Sequence, residues 1–155
     1  MKKFLLFSVL LCGISVAIAQ MPTLYTKSLV NSTGFYGQCS VILGTDVPFN
    51  PNYPSTSSTN NYRAYISVYN DKGKLVNRIS TNPFGQFYET LKLGNYTLIA
   101  SEIGAKKLPP VTLSALTNWT EWYATQYGNP PDPIQVSLTT NAPTAEVKVV
   151  FLRHF

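Results

Sequence analysis

Histidine is nearly missing from this chain of 155 residues: His154, next to the last position, is the only one. A Ser/His/Asp or Cys/His machinery needs its imidazole held by a structured carboxylate, and a penultimate residue is badly placed for that. Cysteine is scarce too, with only Cys12 and Cys39. The two shortages exclude the usual zinc constellations, and no Asp-x-Asp calcium loop occurs. Acidic residues number seven, and Asp46, Asp71, Glu89, Glu102, Glu121, Asp132 and Glu146 lie mostly in turns or alternate with apolar residues. Glycoside cleavage by a carboxylate pair therefore has weak support. Basic residues are few and scattered, Lys106-Lys107 being the one adjacent pair beyond the N-terminus, so the clustered stripe of a nucleic-acid binder is missing.

Long apolar runs are confined to the start. Lys2-Lys3, an apolar stretch from Phe4 to Val16 and the small-residue site Ala17-Ile18-Ala19 predict a signal peptide over residues 1–19. The expected mature protein is a single domain over residues 20–155, exported to the periplasm, the cell surface or the medium. The leader is too short and wrongly flanked to be read as a membrane span, and no second long apolar segment follows it. Cys12 raises a lipid-anchor reading, which Leu11 opposes by standing where a small residue belongs. With the two leader lysines set aside, the formal charge falls from +5 to +3. Cys39 is then the single cysteine, with no internal disulfide to make, and its alternation with Phe35, Val41 and Leu43 predicts a buried small hydrophobe.

What the chain has in quantity is strand signal. From Tyr62 to Ala100, four β-like runs are separated by turn signals at Asp71-Lys72-Gly73, Asn82-Pro83-Phe84-Gly85 and Lys92-Leu93-Gly94-Asn95. This order predicts an antiparallel meander with strands near Tyr62–Asn70, Lys74–Thr81, Gln86–Leu91 and Asn95–Ser101. A first strand is expected at about Tyr36–Leu43, then a long surface loop over Gly44–Asn61, and late strands at Ile134–Leu138 and Thr144–Leu152. In the Tyr62–Asn70 run, Tyr62, Ala64, Ile66 and Val68 make an apolar face. The opposite face, Arg63, Tyr65, Ser67 and Tyr69, reads as open to water.

Three stretches carry a family resemblance: Ala64-x-Ile66-x-Val68, Gly73-Lys74-x-Val76, and Thr81 through Gly85-x-Phe87-x-x-x-Leu91-x-x-Gly94-x-Tyr96-x-Leu98. With Gly37-Gln38 upstream, this order resembles the carboxypeptidase regulatory-like, transthyretin-like sandwich domains, from about Gly34 to Ala100 plus the last strands. The resemblance implies an all-β fold: one antiparallel, Greek-key-like β-sandwich of about seven strands. Glu89 departs from the pattern, since it shares the parity of Phe87 and Leu91 where an apolar residue is expected. The family includes a purine-pathway hydrolase with several histidines and a terminal Y-R-G-S. This chain ends Phe151-Leu152-Arg153-His154-Phe155, so that activity is not carried over.

The stretch least like the family is an insertion at about 109–133. Asn118-x-x-Glu121 offers a capping box, Gly128 a stop and Pro130-Pro131 a barrier, which predicts a short helix at Trp119–Tyr127, with an irregular loop as the alternative. A helix there would bring Trp119, Trp122, Tyr123 and Tyr127 together. Such rings could stack on sugar faces, as could Tyr65, Tyr69 and Tyr88, or they could tie the insertion onto the sandwich, where each would contribute on the order of 1.5–3 kcal/mol. Asn31, Asn95 and Asn118 open N-x-Thr or N-x-Ser/Thr-like acceptor motifs that an Asn- and Thr-rich chain produces by chance. The aromatic Phe155 permits an outer-membrane barrel ending, which Arg153 opposes by interrupting the outward series Val147, Val149, Phe151. The residues thus predict a non-catalytic module with a structural or protein-binding role. The alternative is a carbohydrate-binding or adhesive protein acting through the aromatic insertion, and a hydrolase of unknown type comes third. No cofactor or metal is implied; the expected partner is a protein or glycan at the cell surface, with no nucleic acid and no stable membrane insertion.

Overall fold

Two four-stranded sheets face each other across one apolar core, and a helix covers the outside of one of them. The computed structural model describes residues 32–44 and 58–154. The predicted signal peptide, the lipid-anchor reading of Cys12, most of the Gly44–Asn61 loop and Phe155 lie outside the described residues. The elements are β1 (Gly34–Gly44), β2 (Ser58–Asn61), β3 (Ala64–Asn70), β4 (Leu75–Ser80), β5 (Gln86–Thr90) and β6 (Gly94–Glu102). After them come a 3₁₀ turn (Leu113–Ala115), α1 (Leu116–Tyr127), β7 (Ile134–Leu138) and β8 (Thr144–His154).

In the first sheet β1 is central. Its first half pairs antiparallel with β5 and its second half with β2, while β8 runs parallel along its other side from Gly34↔Thr144 to Gly44↔His154. The second sheet has the order β4-β3-β6-β7, antiparallel throughout. The all-β sandwich expected from the sequence is therefore present, with eight strands among the described residues in place of about seven. β2 is the addition: its four residues, Ser58–Asn61, fall at the end of what reads as loop.

The meander expectation needs correction. β3 and β4 do form a hairpin, but β5 pairs with β1 in the first sheet, and β6 returns to pair with β3 in the second. Phe87 and Leu91 on one sheet, with Tyr96 and Leu98 on the other, all point into the same core. Alternation says which residues face inward, and both arrangements satisfy it, so periodicity alone does not tell adjacent strands from opposed ones. The switch between sheets occurs at Asn82–Gly85, where the Asn82 side-chain oxygen accepts the N–H groups of Phe84 and Gln86, both at 2.9 Å. Gly85 has φ 76°, and a Cβ there would stand 2.4 Å from the carbonyl oxygen of Cys39. Only glycine meets both conditions. Glu89 keeps the inward parity but sits half-buried at the rim, where Asn77 of β4 donates to its carboxylate at 2.9 Å.

A second correction concerns β3. Arg63 is exposed and Tyr65 half-buried, but Ser67 and Tyr69 on the same face are fully buried, because α1 and the segment before it lie on them. Arg78 ties that segment down, donating to Ser67 Oγ at 3.0 Å and to the Pro109 carbonyl at 2.6 Å. Leu75 N–H donates to Val111 O and Leu113 N–H to Gly73 O, each at 2.9 Å. The helix also begins earlier than its capping signals suggest. Ala115 occupies the N-cap position without a side-chain bond, and Asn118 lies within the first turn, so the Asn118/Glu121 box is not the cap. Burial of Leu113 and Leu116 beside Tyr69 and Ile99 sets the start instead. Gly128 ends the helix as expected, its N–H donating to Ala124 O.

Candidate functional site

The four aromatic residues singled out from the sequence do lie together, and they divide into two pairs by burial. Trp119 and Tyr123 project from α1 onto β3 and β6, where they pack with Tyr69 and Ile99, the two rings 4.8 Å apart. Each polar atom is satisfied locally. Trp119 Nε1 donates to Lys107 O at 3.1 Å, and the Tyr123 hydroxyl accepts the Glu102 N–H at 3.0 Å. Tyr123 is fully buried and Trp119 is 6% exposed, so neither ring presents an open face for stacking. Trp122 and Tyr127 are half-buried and stand edge-on to each other at 6.0 Å. Lys107 Nζ lies 4.9 Å over the Trp122 ring. The Tyr127 hydroxyl accepts the Lys106 N–H at 3.0 Å, and its ring packs on Tyr123 at 5.0 Å, so it is fixed before any ligand arrives.

Tyr127 opens onto a groove of about 660 Å³. It runs between the loop Gly128–Asp132 and the end of β8, with Val150, Leu152 and Arg153 as the opposite wall. The lining thus combines one tyrosine ring, two prolines and two aliphatic side chains with the Asn129 amide, the Asp132 carboxylate and a guanidinium. On the other side of the same loop a smaller depression, about 250 Å³, is bounded by Ile99, Leu116, Trp119 and Thr120.

A polar network behind the groove fixes its Arg153 wall. Glu102, at the end of β6, accepts from Arg153 Nε at 3.0 Å, from Arg153 Nη2, and from the Tyr62 hydroxyl at 2.6 Å. Arg153 Nη1 reaches across to the carbonyl oxygens of Asn129, at 3.4 Å, and Leu152, at 3.1 Å. Burial pushes the Tyr62 hydroxyl well above its ordinary value, and the Glu102 carboxylate beside it pushes the same way. Tyr123 is raised mainly by burial. For Arg153, burial works against the charge, yet the Glu102 hydrogen bond and charge outweigh it and the value ends higher. The guanidinium is therefore held charged and neutralised by one carboxylate, so it orients the loop without adding net charge to the groove.

The reading of the C-terminal series as outward-facing needs correction. Val147, Val149 and Phe151 are buried in the sandwich core, and Arg153 continues their inward parity to reach Glu102 of the facing sheet. The residues that sequence reasoning missed are Asn129, Asp132, Leu152 and Arg153. The helix stop at Gly128 and the Pro130-Pro131 pair signal a fixed loop after α1, but nothing local shows that β8 forms the other wall.

The carboxylates Glu89 and Glu121 line neither depression. Among the described residues there is no group of three His, Cys, Asp or Glu able to hold a metal, and no helix long and apolar enough to cross a membrane. Cys39 is buried in the core, which pushes its thiol up to about 12.

No family model matches the chain, and no curated protein matches it in sequence. The chain has the all-β sandwich that the resemblance to the carboxypeptidase regulatory-like domains implied, and membership of that family is not shown. Among solved structures the chain is similar to a DUF1812 protein of Bacteroides thetaiotaomicron whose description suggests polysaccharide binding, at TM-score 0.36 and 12% identity. The match covers 73% of this chain and 46% of that one, so the chain spans less than half of its neighbour's length. At that TM-score the likeness says nothing of what this chain binds.

Proposed function

We propose that this chain is an exported, non-catalytic module that binds a glycan in the groove beside Tyr127. The observation that carries the reading is the mixed lining of that groove. Sugars present apolar C–H faces and a dense rim of hydroxyls, and they are held where a fixed aromatic or proline surface lies within reach of carboxylate and amide groups. Tyr127, Pro130 and Pro131 supply the first kind of surface, with Asn129 and Asp132 supplying the second. The volume, about 660 Å³, falls within the range of small-ligand sites. The Tyr127 ring is already immobilised by Tyr123 and Lys106, so little rotamer entropy is lost on binding. Asp132 is the one carboxylate in the lining, whereas glycoside hydrolysis uses two, and this favours retention over turnover.

An oligosaccharide array, followed by calorimetry on the glycans retained, tests the proposal. Asp132→Ala is expected to weaken binding by roughly tenfold or more while leaving thermal stability within about 0.5 kcal/mol, since Asp132 is exposed. Tyr127→Leu is expected to abolish retention. Binding that survives both substitutions, or an array with no retained glycan, overturns the reading.

A further inference from the structure

We propose that the open edge of β8 pairs with the same edge of a second copy of this chain, antiparallel and centred on Val147. β8 is joined to β1 along all eleven of its residues without a register shift, and among the described residues no strand pairs with its other side. The backbone donors and acceptors on that side form a template for another strand. Toward the chain end the loop Gly128–Asp132 comes against β8, with Arg153 donating to Asn129. The stretch outside the groove is therefore Thr144–Val149, and Val147 lies near its midpoint.

The side chains of this stretch are self-complementary about Val147. Glu146 and Lys148 flank Val147, point outward and are exposed, and neither forms an ion pair among the described residues. In an antiparallel pair centred on Val147, Glu146 of each copy stands opposite Lys148 of the other, so two cross-strand ion pairs form at once. On the inward side Val147 meets its own counterpart and Ala145 meets Val149, which prolongs the apolar core across the junction. Moving the centre by one residue along the strand sets Glu146 against Glu146, or Lys148 against Lys148, and like charges directly opposite are destabilising. Charge thus selects both the partner and the register. The charges that usually protect an edge here serve to match a second copy.

Sedimentation equilibrium of the full chain, read alongside circular-dichroism melts, tests this. A dimer is expected whose Kd is weakened roughly tenfold or more by either Glu146→Lys or Lys148→Glu, because each reversal turns two attractive pairs into repulsive ones. Both side chains are exposed, so at concentrations where every form is monomeric the melts should hardly move. An equimolar mixture of the two variants should associate as tightly as the unaltered chain, since the two altered strands complement each other. A chain that is monomeric at every concentration overturns the proposal. So does a dimer indifferent to both reversals, or a mixture no tighter than its components. None of these readouts depends on what occupies the groove.

Discussion

Replacing Trp119 by alanine separates a ring that anchors the insertion from a ring that waits for a ligand. Trp119 is 6% exposed, lies against Tyr123 and Ile99, and donates its indole N–H to Lys107 O. Burial of about 200 Å² of aromatic surface at about 25 cal/mol per Å² gives roughly 5 kcal/mol as an upper bound, because the unfolded chain is itself partly collapsed. Loss of the hydrogen bond adds about 1 kcal/mol by leaving the Lys107 carbonyl short of a partner. The expected loss is therefore about 3–5 kcal/mol, which lowers the melting midpoint by roughly 10–20 °C. Trp122 is only half-buried, and its replacement by alanine should cost about 1–2 kcal/mol. Urea melts give both numbers, and acrylamide quenching of the two single-tryptophan variants gives the exposure of each remaining ring directly. Equal losses, or a Trp119 ring quenched as readily as Trp122 in the free protein, would refute the reasoning that α1 is fastened by its buried pair.

Two further perturbations probe the sandwich and its titrating groups. Phe87→Ala should cost about 3–5 kcal/mol, since Phe87 is buried edge-on to Phe35 at 6.0 Å, whereas Thr97→Ala, which loses an exposed bond to Gln135, should cost under about 1 kcal/mol. Comparable losses in denaturant melts would mean that the inward parity is misassigned. Stability should also fall in alkali: Cys39, Tyr62, Tyr69 and Tyr123 hold their protons to higher pH when folded, chiefly because they are buried. Their stabilisation is complete below the unfolded values, 9.0 for the thiol and 10.0 for the phenols, and is lost as the pH climbs toward the folded ones. Urea midpoints that stay level from about pH 8 to about pH 11 would contradict this.

The turn residues and the period-two alternation determined most of the strands and their inward faces. Ile134–Leu138 is found as expected, and β3 to β6 differ from their expected bounds by one or two residues, because Gly, Pro and Asn mark reversals through local backbone preference alone. β2 escaped notice because Ser58–Asn61 is polar, and its strand state comes from pairing with the end of β1. The helix was legible through Gly128 and the prolines that follow, whereas its true start depends on how Leu113 and Leu116 meet Tyr69.

The sequence by itself determined which side chains turn inward, where the chain reverses, and that the aromatic residues of the insertion gather on one helix. Those properties follow from interactions among residues near one another in the chain. Only the tertiary structure decided that β5 leaves the meander for the opposite sheet, that Ser67 and Tyr69 on the outer face of β3 are covered, and that Trp119 and Tyr123 are spent on that cover. It alone joined Glu102 to Arg153, 51 positions apart, and so brought the loop after α1 against β8 to make the groove. Contacts of that range form because two sheets must close over a shared core, and no local preference encodes which distant strand will supply the other wall.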